Sequence, residues 1–180
     1  GAKPYECRLY QAYAEFLMRK GRTDEALLLV NESLRMNRAM HLVHLRPELL
    51  ALKADILFQA GQCSAADAVW EENLRLVQEL AGYSPSRHLQ VLVAHLRHLA
   101  RCGRQEELAK ATEEAGAFVN QFQLTEYQTQ AFRNFKPEDY PVDASTSAPL
   151  EWPVSLQPVY TATHVQPGRP AQSWFWLMNP

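Results

Sequence analysis

Cysteine is too scarce and too scattered in this chain to build a covalent framework: Cys7, Cys63 and Cys102 are odd in number and form no Cys-x-x-Cys pair. Neither a disulfide scaffold nor a zinc ribbon fits, and a reducing, cytoplasmic setting is expected. Positive charge is also short. Against 20 Asp and Glu stand 18 Lys and Arg, a net charge of −2, which removes the electrostatic footprint of a nucleic-acid or anionic-membrane binder. No window approaches the ~20 consecutive apolar residues of a membrane span. A Gly-rich phosphate loop, a Gly-x-Ser-x-Gly elbow, a His-Glu-x-x-His run and a dinucleotide fingerprint are all missing, so no catalytic residue is expected and the chain is not read as an enzyme. The opening GAKPYECRLYQ has no initiator methionine and no apolar leader, as in a piece of a longer or processed protein.

What is present is a repeat. Gly21, Gly61 and Gly103, 40 and 42 residues apart, each sit between two helical patterns and open the stretches GRTDEALLLVNESL, GQCSAADAVWEENL and GRQEELAKATEEAG. Glycine tolerates the left-handed backbone that closes one helix before the next begins. A period of that length, built as helix, tight turn, helix, is the pattern of an αα-hairpin solenoid.

Three hairpins follow. Leu9, Tyr10, Tyr13, Phe16 and Leu17 give the first helix, over 5–20, one broad buried face. Thr23 is placed to cap its partner, whose stripe is Ala26, Leu27, Val30 and Leu34. Residues 38–45 make a long connector with room for an extra turn. Pro47 suits the first turn of a helix to about Ala60, and Ser64 with Asp67 makes a capping-box-like start for the next. Ser84 and Pro85 open the third hairpin, with a returning helix over 105–122. Thr125 and Gln128 form another capping box, starting a short helix whose Tyr127, Ala131, Phe132 and Phe135 are expected to cover the end of the stack.

The glycine register, the small residues five places on (Ala26, Ala66) and the leucines before each turn (Leu17, Leu57, Leu99) resemble the tetratricopeptide repeat, most closely over RPELLALKADILFQAGQCSAADAVWEENLRL. Units longer than 34 residues are similar to those of kinesin-light-chain-type proteins and bacterial multi-domain regulators. The resemblance spans about 5–122. Lys53, His95 and Leu108 stand where the family has apolar or small residues, and HEAT-like packing, with a similar period, stays open. The resemblance implies that the first helix of each pair lines a concave face. Mapped by position it selects Arg8, Gln11, Glu15, Met18 and Arg19; then Glu48, Asp55, Phe58 and Gln59; then Gln90, Val93, Arg97 and Arg101. Gln11 and Glu15 stand where chaperone-binding members carry a carboxylate clamp, which argues against that ligand.

Two clusters hint at chemistry. His95, His98 and Cys102, at i, i+3 and i+7, share a helix face that can meet a metal, with His88 two turns upstream and a similar pair at His41 and His44. Packing is the preferred reading on a leucine-rich helix, so no metal ligand and no cofactor is expected. Arg97 and Arg101, one turn apart, suit a carboxylate or phosphate, with a solvated face paired to Glu106 or Glu107 the preferred alternative.

Eight of the eleven prolines lie in 137–180, and residues 144–180 hold only Glu151 and Arg169 as charges but three of the four tryptophans. That composition is unlike a free linker. The chain therefore divides into a helical repeat domain, 1–135, and a proline-rich aromatic extension, 136–180. Trp152, Tyr160, Trp174, Phe175 and Trp176 are expected to dock on the helices or on a partner, with 159–165 and 173–178 as strands of a hairpin. The function expected is non-catalytic recognition of a peptide or protein segment by an adaptor or scaffold. Alternatives are a sensory or oligomerising part of a larger regulator, with a homo-oligomer allowed, and an accessory domain with a metal or anion site. Nucleic acid and membrane are not expected partners.

Overall fold

The computed structural model describes residues 3–80, 82–140 and 142, with side chains from Tyr5 onward. Among them lie seven α-helices and no strand: α1 (Lys3–Arg19), α2 (Thr23–Ala39), α3 (Arg46–Gln59), α4 (Cys63–Glu79), α5 (Pro85–Arg101), α6 (Gln105–Gln121) and α7 (Glu126–Arg133). Short 3-10 turns precede α3 (Val43–Leu45) and follow α7 (Pro137–Asp139). None of these helices is long and apolar enough to cross a membrane.

The helices pack in successive pairs, α1 on α2, α3 on α4 and α5 on α6, and α3 also touches α1 and α5. The three pair-closing turns are made alike. Gly21, Gly61 and Gly103 have φ of +74°, +74° and +69°. Their N–H groups donate to the carbonyls of Met18, Phe58 and Ala100, and the next N–H in each case donates to Leu17, Leu57 or Leu99. These two bonds satisfy carbonyls that the helix end would otherwise leave open.

Such a turn is only two or three residues long, so the residue after each glycine already holds the N-cap position. Arg22, Gln62 and Arg104 occupy it, none with a side-chain cap. Thr23 and Ser64, expected as caps, lie inside their helices instead. Ser84 does precede α5, but its hydroxyl meets Ser86 rather than a helix N–H. The capping box at Thr125 and Gln128 forms as expected.

Small residues set the approach within each pair. Ala14 and Ala26 in the first, and Ala54 and Ala66 in the second, have no exposed surface; in the third, Leu96 and Leu108 take their places, both buried. A polar bond recurs with the same phase. Ser33 Oγ donates to the Cys7 carbonyl at 2.9 Å, and forty residues on Asn73 Nδ2 donates to the Pro47 carbonyl at 3.0 Å. A repeat seen in spacing is thus also a repeat in bonding.

Two clusters of the core bear on the site. One gathers Ala54, Leu57, Phe58, Ala66, Trp70, Val77 and Val91; the other gathers Leu89, Val93, Leu96, Leu99, Leu108 and Ala115. Ala14, Leu17, Met18, Ala26, Val30 and Leu34 are buried within the first pair. Ala131, Phe132 and Phe135 pack on the second cluster and seal that end, as expected. Tyr127 does not: it is 87% exposed. The single buried face expected of α1 is also corrected. Leu17 is buried, but Leu9, Tyr13 and Phe16 are exposed, because among the described residues no helix packs on the flank of α1 opposite α2 and α3.

Candidate functional site

Helices α1, α3 and α5 are the first members of their pairs and touch in series, so the residues nominated on them fall within one layer. Arg8 and Arg19 are exposed, while Gln11, Glu15, Glu48, Gln59 and Gln90 are half-buried. These seven offer polar atoms to solvent. Met18, Asp55, Phe58, Val93, Arg97 and Arg101 are buried, Met18 and Val93 almost completely.

Between α1 and α3 two carboxylates, Glu15 and Glu48, face one another, with Arg19 near the first. Gln11 Nε2 donates to Glu15 Oε1 at 3.1 Å, yet burial, with Glu48 opposite, holds the Glu15 carboxyl above its usual range. Glu48 is balanced by Arg87 of α5 at 3.7 Å.

Between α3 and α5 the layer closes over an ionic cluster. Arg101 Nη1 donates to Asp55 Oδ1 at 3.3 Å, and its guanidinium lies over the rings of Phe58 and Tyr140 at 5.9 and 5.8 Å. Burial raises the Asp55 pKa even though Arg101, His98 and Arg97 all oppose that shift. Burial lowers that of Arg97, whose Nε has no protein partner. The solvated pairing expected for these arginines is therefore replaced by an interior one, and Glu107 pairs with Arg104 instead. The cause is Tyr140. The segment after α7 returns along α5, stacks Tyr140 on Phe135, and brings a Val142 methyl to where a Cβ on Gly103 would stand.

The histidine face of α5 turns toward α4. His98, 1% exposed, places Nε2 at 2.7 Å from Asp67 Oδ1 and 3.7 Å from Cys102 Sγ. Asp67 also meets Arg104 at 3.0 Å. Burial pushes the Cys102 thiol up to about 11. His95 rests on Trp70 with centroids 5.4 Å apart and is pushed down to about 4, first by burial and then by His98. It is neutral at physiological pH. His88 rests on Phe118, and His44 stacks on Tyr83, whose hydroxyl burial pushes up to about 12. Of the nominated trio the structure thus joins His98 and Cys102, and Asp67 replaces His95 as the third donor.

Asp67, Tyr83 and Tyr140 were not singled out by pattern as parts of a site. Asp67 carries a signal in hindsight, one turn from Cys63 just as His98 is one turn from Cys102. Trp152, Tyr160, Trp174, Phe175 and Trp176, with the hairpin expected around them, lie outside the described residues. Compared with known proteins, the chain matches no family model, no curated protein and no solved structure.

Proposed function

We propose that the chain is a tetratricopeptide-like helical repeat module, working in the cytoplasm as an adaptor that receives a peptide or protein segment on the α1, α3 and α5 layer. One observation carries the reading: Tyr140 of the chain itself already rests on that layer, over Arg101, in extended backbone with φ −119° and ψ 92°. A surface that takes an extended segment in cis has the width and chemistry to take one in trans. The carboxylates of Glu15 and Glu48 favour a segment with amide or basic donors, and catalysis has no part in it.

The test is panning of a displayed peptide library against the full chain. Enriched peptides should lose binding to Gln11→Ala/Glu15→Ala and to Gln59→Ala, and keep it to Tyr127→Ala. Enrichment indifferent to Gln11, Glu15 and Gln59 alike would remove the groove as the working surface.

A second reading rests on a separate feature. Tyr5, Leu9, Tyr13 and Phe16 leave an apolar stripe along α1, each at least 48% exposed, and such a stripe suits another helical pair, as in an oligomerising part of a larger regulator. Sedimentation velocity distinguishes the two: a dimer abolished by Leu9→Lys/Phe16→Lys favours this reading, and a monomer at all concentrations excludes self-association.

A further inference from the structure

We propose that Asp67 of α4, His98 of α5 and Cys102, which caps α5, form a site for a borderline-soft divalent metal ion of the zinc class. Carboxylate, imidazole and thiolate together select zinc or cobalt over magnesium or calcium, which prefer all-oxygen cages. The three donor atoms already lie within 4.8 Å of one another. Bonds of about 2.0–2.3 Å in a tetrahedral shell separate ligand atoms by roughly 3.3–3.7 Å. The 3.7 Å between His98 Nε2 and Cys102 Sγ fits that spacing, and the 2.7 Å to Asp67 Oδ1 needs the half-exposed carboxylate to swing outward slightly.

The backbone does the placing. His98 lies in the last turn of α5 and Cys102, one turn on, is the residue that caps it, while Asp67 stands in the second turn of α4, one turn after Cys63. His98 is fixed by Trp70 and Phe58, ring centroids at 5.9 and 5.5 Å, so one ligand is held rigidly while Asp67 opens the cluster to solvent. Arg104 supplies the countercharge to Asp67 without an ion. It holds Glu107 through two bonds of 2.6 and 2.5 Å, and so gives up Asp67 while staying paired.

An ion here joins the second helical pair to the third. That consequence is independent of the adaptor reading, and the test does not use a peptide partner.

The experiment is titration of the reduced full chain with cobalt(II), read by the thiolate-to-metal charge-transfer band and the tetrahedral d–d bands, with zinc displacing cobalt. One equivalent should saturate both. Cys102→Ser should remove the charge-transfer band, and Asp67→Ala should weaken binding by more than ~100-fold, beyond what loss of an outer-shell partner costs. Both positions are partly exposed, and circular dichroism confirms the fold. Arg104→Ala should tighten binding about two- to five-fold, the size of a partly exposed ion pair. A purely structural His98–Asp67 hydrogen bond predicts none of this. Absence of bands at millimolar cobalt, a charge-transfer band that survives Cys102→Ser, or unchanged binding in Arg104→Ala would each overturn the proposal.

Discussion

Removing the Arg101 charge tests whether the ionic cluster belongs to the interior or to a ligand surface. Arg101→Met keeps the stem that packs beside Phe58 and Tyr140 but leaves the Asp55 carboxylate, 7% exposed, without its hydrogen-bonded partner. Breaking a buried pair from one side costs about 3–5 kcal/mol, because the surviving charge has neither water nor counter-ion. Two features place the cost near the lower end. The bond is long at 3.3 Å against about 2.7–2.9 Å for a strong charge-assisted contact, and Arg97 also faces Asp55. A loss of about 3 kcal/mol is therefore expected at pH 7. Asp55→Asn should cost less, about 1 kcal/mol, since its carboxamide oxygen still accepts from Arg101. Combining Asp55→Asn with Arg101→Met should restore most of the loss, because no uncompensated charge remains. The assay is urea unfolding followed by circular dichroism, with slopes compared so that the midpoint reports stability. A neutral Arg101→Met, or a double variant no better than the single, would mean that the guanidinium is solvated and that its burial here is not the interior pairing described.

The remaining expectations concern the turns, the core and pH. Gly61→Ala meets nothing within 4 Å and should cost only the left-handed backbone strain of about 1–2 kcal/mol, whereas in Gly103→Ala the new Cβ meets a Val142 methyl at 2.8 Å and should cost more; Val142→Ala in the same chain should return it to the Gly61→Ala level in thermal unfolding. Trp70→Ala should lose about 3–5 kcal/mol, since the ring is 1% exposed at the meeting of α3, α4 and α5, and a loss below 1 kcal/mol in urea unfolding would contradict that packing. Burial lowers the pKa of His88, so its folded value lies below the unfolded one: its contribution is fully present above about pH 6.5 and is lost as pH falls through that value toward the folded pKa. His88→Gln should flatten the urea midpoint over that window, and an unchanged slope would show that the ring stays hydrated against Phe118.

The order of the helices was legible because its signals are local. A glycine that must adopt positive φ and a leucine four residues before it occupy one turn, with an alanine five residues after the glycine in the first two units, so Gly21, Gly61 and Gly103 announce themselves without long-range information. The caps misled for a related reason. Thr23 and Ser64 have the right chemistry, but the two hydrogen bonds of the glycine turn fix the next residue as the cap and carry these past it. Position along a helix was legible, and depth was not. Arg97 and Arg101 read as a wet face because their nearest acids in sequence are Glu106 and Glu107, while the carboxylate that pairs Arg101 is 46 residues away and the ring that covers it lies beyond α7. Asp67 and His98 are 31 residues apart, with no spacing rule to join them.

Two kinds of contact hold this architecture. Within a pair, small and apolar side chains fix how closely two helices approach, and in the first two pairs one polar bond, Ser33 to the Cys7 carbonyl or Asn73 to the Pro47 carbonyl, adds the direction that apolar packing lacks. Between pairs, the described contacts include directional ones: Arg87 with Glu48, Arg101 with Asp55, and Asp67 with His98 and Arg104. A hydrogen bond weakens steeply as its angle bends, so the Arg101–Asp55 and His98–Asp67 bonds favour one angle between the third pair and the second. Three of the four draw on α5 and one on the turn that follows it. That concentration sets α5 apart among the described helices: it carries the face toward which an extended segment returns, and it also carries donors that bond to α3 and α4. Any ligand that engages Asp55, Asp67 or their partners acts on the α3 and α5 layer and on the angle between the second and third pairs through the same residues.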